Sequence, residues 1–562
     1  MKSPALRTVR ARAVPRALAV TLAALLCPLA ALAEGQSPDH GLSIRKEGDG
    51  RGRVMVEPQL QRYPSGTVVT LTAVASGSNV FRGWIGPVSD RHRMSVSLTI
   101  DRDTEVVAKF MASRLDPIPA RVGPSPIVAV VEEFARIPSS LDRVAGLAAD
   151  PAKRPPGYYP AARINSLKPL NDGTGRLVVS DQRGLLYVLS ERGEVTPFLD
   201  VRAQAPEFID WPGLTAGLNA VAIAPDFASS GTFYTVHTER PAGRRGIFRP
   251  LPGQIPVAHF VLTEWTTPVP SANQFSGTSR EVLRLEGPEF QHGLQDIGFD
   301  PNLKPGDPGF GMLYILVGDG TSVWQGFPEN IDRPDSVFGT VLRIDPNGSD
   351  APGGAYGIPA DNPNSATASG RAFREVWASG FRNPHKMSWD RGGNRAMLVS
   401  DVGESNLEEV NLALPGRRYG WPRREGTWVI DPGGDLSQPT PMGGSDDLPF
   451  LMYPVIQFDH DEGSAVSGGF VYRGSLLPRL QGMYVFGDLG GGRVLLATAS
   501  ALSPGKPAEL AELTLLSRGQ AVTLSELVGS PRVDLHLGSD ASGELYLLSK
   551  TDGVIRRLSR AQ

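Results

Sequence analysis

A single cysteine, Cys27, occurs in 562 residues, and it lies inside an apolar run near the N-terminus. The chain beyond it therefore has no disulfide, no thiolate metal site and no thiol nucleophile, and must be held together by burial alone. Long hydrophobic runs are just as scarce. Past residue 33 nothing approaches the roughly 20 apolar residues that a spanning helix needs. The one long run, Ala17 to Leu32, follows Arg7, Arg10, Arg12 and Arg16 and ends in Ala31-Leu32-Ala33. This is the layout of a secretory signal cut before Glu34, and the bulky Leu26 argues against a lipid anchor on Cys27. A soluble protein of the periplasm or the extracellular space is expected.

Basic excess is also missing. Without Lys2 and those four arginines, the 56 basic residues fall to 51 against 59 acidic, a net charge of −8. Nothing in that balance invites nucleic acid or an anionic membrane as a partner. No phosphate-binding Gly-Lys loop, dinucleotide Gly fingerprint, His-Glu-x-x-His or Gly-x-Ser-x-Gly occurs. Sustained helical stripes are absent too, apart from weak patches near Val128 to Phe134.

Turn formers and alternating strands fill the sequence. Gly (64) and Pro (49) are abundant, and residues 41–112 alternate apolar with polar: Val54, Val56; Val69, Leu71, Ala73; Val96, Leu98, Ile100; Val106, Ala108, Phe110. These read as half-buried strands of a small β domain. With Gly52-Arg-Val-Met-Val-Glu-Pro58 and Phe81-Arg-Gly-Trp84, the segment resembles the divergent internalin-type B repeat of bacterial surface and exported proteins. The resemblance implies a spacer or adhesion module without chemistry. Residues 113–159 read as a stiff proline-rich linker with at most one short helix.

From residue 160 to 562 an apolar strand, an Asp- or Gly-bearing turn and a second apolar strand recur six times. They fall at Arg176 to Leu189, Leu218 to Val236, Gln295 to Val317, Lys386 to Asp401, Val466 to Asp488 and Val533 to Leu548. Irregular spacing with insertions points to propeller blades, so the predicted fold is all-β, a six-bladed β-propeller with a small N-terminal β domain. A pair of β-sandwiches is the alternative. In a propeller the loops at one end of the channel converge, which would gather charged turns distant in sequence.

Arg382 and Asn383 lie at the end of one apolar segment, with Asn383 held out of helical geometry by Pro384. Arg382 can pin an anion or carbonyl with its planar donors, or serve only to cap loop carbonyls. His292 precedes a predicted strand as a candidate base, and the Gly-flanked Asp319 could orient it. Both are also compatible with ordinary surface groups. Phe458-Asp-His-Asp-Glu462 offers metal-ligand types, or a solvated acidic loop. His536 alternates within a strand and reads as packing.

Several motifs then combine in order: Leu342-Arg-Ile-Asp-Pro-Asn-Gly348, Gly380-Phe-Arg-Asn-Pro384, Asp401-Val-Gly403, Glu408-Glu-Val-Asn411, Tyr419-Gly-Trp-Pro422, Gly468-Gly-Phe-Val-Tyr-Arg-Gly474 and Gly487-Asp-Leu489. Together they resemble the glucose/sorbosone dehydrogenase family of soluble six-bladed quinoproteins. The resemblance implies pyrroloquinoline quinone (PQQ) over the channel mouth, a Ca²⁺ polarising it, a His that takes a sugar hydroxyl proton, and an external electron acceptor. It assigns His292 as base, Asp319 as its partner, Arg382 and Asn383 to the quinone, and Gly403 and Glu404 to the metal. Thr215 stands where the family commonly has Gln, and Arg493 near where its best-known members have a cofactor-binding Lys. Arg532 is expected from the resemblance to be a further cofactor contact. Gly403-Glu404 replaces the Gly-Pro whose carbonyls bind the metal in those members. The implied function is oxidation of an aldose or related hydroxyl compound; the alternative is a non-redox propeller that binds carbohydrate or protein.

Overall fold

The computed structural model describes residues 39–48, 50–75, 79–88, 95–112, 117–140, 161–210, 215–331, 333–366, 372–433, 436–442, 448 and 450–560. The expected secretory signal lies outside these residues. Among them no helix is long and apolar enough to cross a membrane.

Strand propensity and period-two burial build two sets of sheets. The small domain stacks one three-stranded sheet, Gly52–Glu57, Thr67–Ala75 and Ser95–Ile100, against another made of Leu42–Glu47, Thr104–Ala112 and Asn79–Ile85. Trp84, Phe81 and Phe110 fill its core, with Val69, Leu71 and Ile100 wholly enclosed. Trp324 of the larger unit packs against that core.

The larger unit is a six-bladed β-propeller. Its inner strands are Ile164–Pro169, Leu218–Ile223, Leu294–Phe299, Pro384–Trp389, Val466–Val471 and Leu535–Ser539. Each touches the next, and the sixth touches the first, so the ring closes. Blades one to four are separate four-stranded antiparallel sheets. Their strands are buried on both faces, as Leu177–Asp181 and Leu313–Val317 show at every residue. That is why they read as short apolar runs more than as clean alternation. The unit predicted from Arg176 to Leu189 spans the second and third strands of blade one, whereas the later units begin at or near the inner strand.

Blade six corrects the linker reading of 113–159. Gly123–Arg136 is a strand, neither connector nor helix, and it forms the outer edge of that blade. It pairs antiparallel with Val554–Ser559 and parallel with Ala511–Ser517 of blade five, joining the two blades into one sheet. Pro124 and Pro126 sit at its start, where a missing N–H is tolerated. After them Ala129, Val131 and Ala135 turn inward. The β-branched run that suggested a weak helix is a strand because two sheet edges await it.

A register shift interrupts five of the six inner strands just after their first residue, at Asn165, Asn219, Gln295, His385 and Ser467-Gly468. Such bulges re-aim a side chain. Asn165 donates to the carbonyl of Asn219, Asn219 Nδ2 donates to that of Leu294 at 3.3 Å, and the rings of His385 and His536 lie 5.4 Å apart. Asn165 and Asn219 thus link consecutive blades, while His385 and His536 meet from blades four and six.

Candidate functional site

His292 adopts a left-handed backbone (φ 54°) immediately before the inner strand of blade three. Its carbonyl accepts from Gly320 N at 3.0 Å, and Gly293 O accepts from Gly318 N at 2.9 Å. A Cβ on Gly318 would meet the His292 backbone at 2.6 Å, so only glycine lets the two segments approach this closely. The approach sets Asp319 beneath the imidazole. His292 Nδ1 donates to Asp319 Oδ1 at 2.7 Å, Thr321 N donates to the same oxygen at 2.8 Å, and Trp421 Nε1 donates to Oδ2 at 3.1 Å. With Nδ1 protonated, Nε2 is the nitrogen left to accept a proton. Burial pushes His292 below the usual histidine range, helped by the Arg382 charge and opposed by Asp319.

Arg382 enters from blade four. Its carbonyl accepts from Asp319 N at 2.7 Å, and its guanidinium lies 5.7 Å from the Trp421 ring centroid. Nε donates to Glu404 at 2.8 Å, and Nη2 pairs with the same carboxylate. Nη1 donates to the carbonyls of Val402 (3.0 Å) and Gly403 (2.5 Å). Asp401 takes the backbone N–H groups of Arg382 at 3.0 Å and Asn383 at 2.7 Å. The sheet insertion between the third and fourth strands of blade four supplies Trp421 and Glu425. One oxygen of Glu425 accepts from the backbone nitrogens of residues 404 to 407 at 2.8 to 3.0 Å. Burial pushes Glu404 up to about 7, with Arg382 pulling it back and Glu425 adding to it. Asp401 and Glu409 are driven upward by the same desolvation.

His292, Asp319, Arg382, Asn383, Gly403 and Glu404 are thus brought together. The other expected residues are engaged separately. Thr215 Oγ1 donates to the carbonyl of Phe290 at 3.1 Å, two residues before His292. Arg493 pairs with Glu462 and, at 2.8 Å, with Glu512 of the fourth strand of blade five. Arg532 Nε donates to Asp534 at 2.7 Å. The acidic run is absorbed too. Asp459 accepts from Ile118 N and Glu462 from Val122 N, both at 3.0 Å, anchoring the start of the connector, while His460 meets Glu408 at 3.1 Å. Sequence reasoning missed Trp421 and Glu425 as site groups. The Tyr-Gly-Trp-Pro motif was the only signal for the first.

The donor set decides how an implied metal or quinone would fit. The carbonyls of Val402 and Gly403 and the carboxylate of Glu404 already face the Arg382 cation. Among the described residues no group of three or more His, Cys, Asp or Glu could hold a metal ion. Calcium does not fit this arrangement. A flat conjugated ring fits better, because a planar cation and an indole, 5.7 Å from cation to ring centroid, both adjoin the His292–Asp319 pair.

The glucose/sorbosone dehydrogenase model matches residues 163–514, and the divergent InlB B-repeat model matches residues 42–114. The chain belongs to the glucose/sorbosone dehydrogenase family. It is 26% identical over 444 residues to the HIPL1 protein of Arabidopsis thaliana, covering 70% of this chain and 61% of that one. It is 25% identical over 394 residues to the hedgehog-interacting protein of Mus musculus, covering 68% and 48%. The chain thus spans about half to three-fifths of the length of these relatives. The soluble aldose sugar dehydrogenase of Escherichia coli, solved in its apo form, shares the fold at 19% identity and a TM-score of 0.52, over 77% of this chain and 99% of that one.

Proposed function

We propose that the protein is an exported sugar dehydrogenase of the quinoprotein type, in which His292 takes the proton of a hydroxyl on an aldose or related compound. The observation that carries this reading is the chain from His292 Nδ1 through Asp319 to Trp421 Nε1, buried beside Arg382. Asp319 is nearly sealed from solvent and spends both oxygens on fixed donors, so it holds one tautomer and orientation of the ring. A base kept neutral by burial and by a neighbouring cation is ready to accept a proton at neutral pH. PQQ, when bound, supplies the hydride acceptor, while the protein supplies orientation and charge. Arg382 and Asn383 are the residues that would contact it, with the Arg382 guanidinium 5.7 Å from the Trp421 ring centroid. No step is assigned to calcium.

A second reading, a propeller that binds carbohydrate or protein without redox chemistry, is favoured by the metal carbonyls already bonded to Arg382. Reconstitution of the mature protein with PQQ, with and without Ca²⁺, and a screen of aldoses with an artificial acceptor separate the two. Dye reduction is expected, lowered about 10²- to 10⁴-fold by His292→Ala with the PQQ absorbance retained. Wild-type protein that neither perturbs PQQ absorbance nor reduces dye with any aldose overturns the dehydrogenase reading and leaves the binding one.

A further inference from the structure

A cavity at the outer rim of blade three belongs to none of the groups described so far. It encloses about 240 Å³, and Arg333, Arg417, Arg418, Trp377, Ser336 and Ser379 are among the residues that line it. Strand register fixes its place. Leu294, Val317, Thr340 and Ser379 follow one another across the four strands of the blade, and Thr340 and Ser379 both line the cavity. At about 4.8 Å per strand it lies roughly 10 to 15 Å outward from Leu294, at the same end of the propeller as His292.

The segment that carries two of the arginines is tied to that blade by its backbone. Gly416 N donates to the Trp377 carbonyl at 2.7 Å, and Ser379 N to that of Arg417 at 3.1 Å. Arg418 is bridged to Ser379 on one side and to Leu451 on the other. Both side chains therefore reach the rim from a fixed strip of chain. Arg417 is exposed and makes no ion pair or side-chain hydrogen bond among the described residues. Arg333 comes from the loop before the third strand and is paired with Asp335 through Nε and Nη2, at 2.8 and 2.5 Å. Other acids of the same segments are committed elsewhere, Asp361 to Arg343 and Glu375 to the Tyr356 hydroxyl, each at 2.8 Å. The described lining thus holds three guanidinium groups and no carboxylate.

A guanidinium takes the paired oxygens of a carboxylate or phosphate through parallel N–H donors. Trp377, 8% exposed, adds an apolar wall, and Ser336 and Ser379 add hydroxyls. Such a lining suits a small ring that carries one oxyanion and several hydroxyls. We propose that this cavity binds one acidic sugar unit, its carboxylate or phosphate held by Arg417 and its ring set against Trp377. Arg333 and Arg418 add to the attraction. An occupied site would gather acidic sugars on the face of the propeller where the candidate base lies.

The inference does not depend on the dehydrogenase reading, and its test uses neither cofactor nor turnover. Glucuronate, glucose 6-phosphate and glucose are titrated into the protein and binding is followed by saturation-transfer NMR. At least one of the two acids should bind saturably, more tightly than glucose and less tightly as salt is raised. Arg417→Gln, a change at an exposed side chain that leaves the fold intact, should weaken that binding about tenfold or more, and His292→Ala should leave it unchanged. Saturation by glucuronate alone identifies a carboxylate as the anchor, by glucose 6-phosphate alone a phosphate, and by both a site that reads the charge. No saturable binding of either acid, equal binding of glucose, or an affinity that survives Arg417→Gln overturns the proposal. Binding lost in His292→Ala overturns it too, since the ligand would then sit in the candidate site.

Discussion

Arg382 does two jobs that sequence reasoning weighed as alternatives. It caps the carbonyls of Val402 and Gly403, and it also stands over Trp421 beside the candidate base. Its removal would leave Glu404 buried beside other acids. Arg382→Ala should therefore destabilise the protein by about 3–5 kcal/mol, the usual penalty for breaking a buried pair, read from urea unfolding. Arg382→Ala with Glu404→Gln should recover part of the loss. Because the guanidinium already occupies the carbonyls a metal would need, millimolar calcium should leave Tm unmoved; a saturable rise would show that the ion displaces Arg382. The buried carboxyls also set a pH dependence. Those of Asp401, Glu404 and Glu409 are held above the usual range by burial, with Glu404 near 7. The folded protein thus retains protons that the unfolded chain releases at about pH 4 to 4.5. Their contribution is fully present below that range and lost as pH rises through about 7. Unfolding free energy measured from pH 5 to 8 should fall, and Glu404→Gln should flatten the slope.

At the scale of elements, inner strands such as Leu294–Phe299 and Leu313–Val317 were legible because short apolar runs end in Gly and Asp turns. His292 and Asp319 were legible for the same reason, as polar residues at such turns. Gly123–Arg136 was not, because its partners lie at the other end of the chain and its prolines mimic a linker. The engagement of Arg493 was equally hidden, since Glu462 and Glu512 reach it only once blades four and five pack. Trp421 and Glu425 sit in an insertion without periodicity, so only the Tyr419-Gly-Trp-Pro422 motif pointed to the first and nothing local announced the second. Val131 is 5% exposed on the strand that closes blade six. Val131→Asp should cost about 3 kcal/mol or more by burying an unpaired charge, seen as a large drop in Tm. The same substitution at the exposed Val68 should change Tm little.

For the whole molecule, the small domain and the propeller share no sheet among the described residues, and Trp324 packs against the small core. A chain shortened to begin near residue 117 should unfold within about 2 °C of a chain that begins near residue 39. One shortened to begin at residue 137 loses the outer strand of blade six and should be recovered mainly as aggregate, since two long sheet edges are then exposed. Retention of a cooperative transition in the second chain would show that the ring closes without that strand.

That closing strand also dictates an order of events during synthesis. Ser559 bonds to Glu132 across 427 positions, so almost the whole chain must leave the ribosome before the last seam can form. Contacts of such span carry a large loop-closure cost and slow folding. Until then the early strand waits with its pairing groups unsatisfied. The ring therefore cannot lock until its C-terminal strands have been made, and the protein stays open at this seam for nearly the whole of its synthesis.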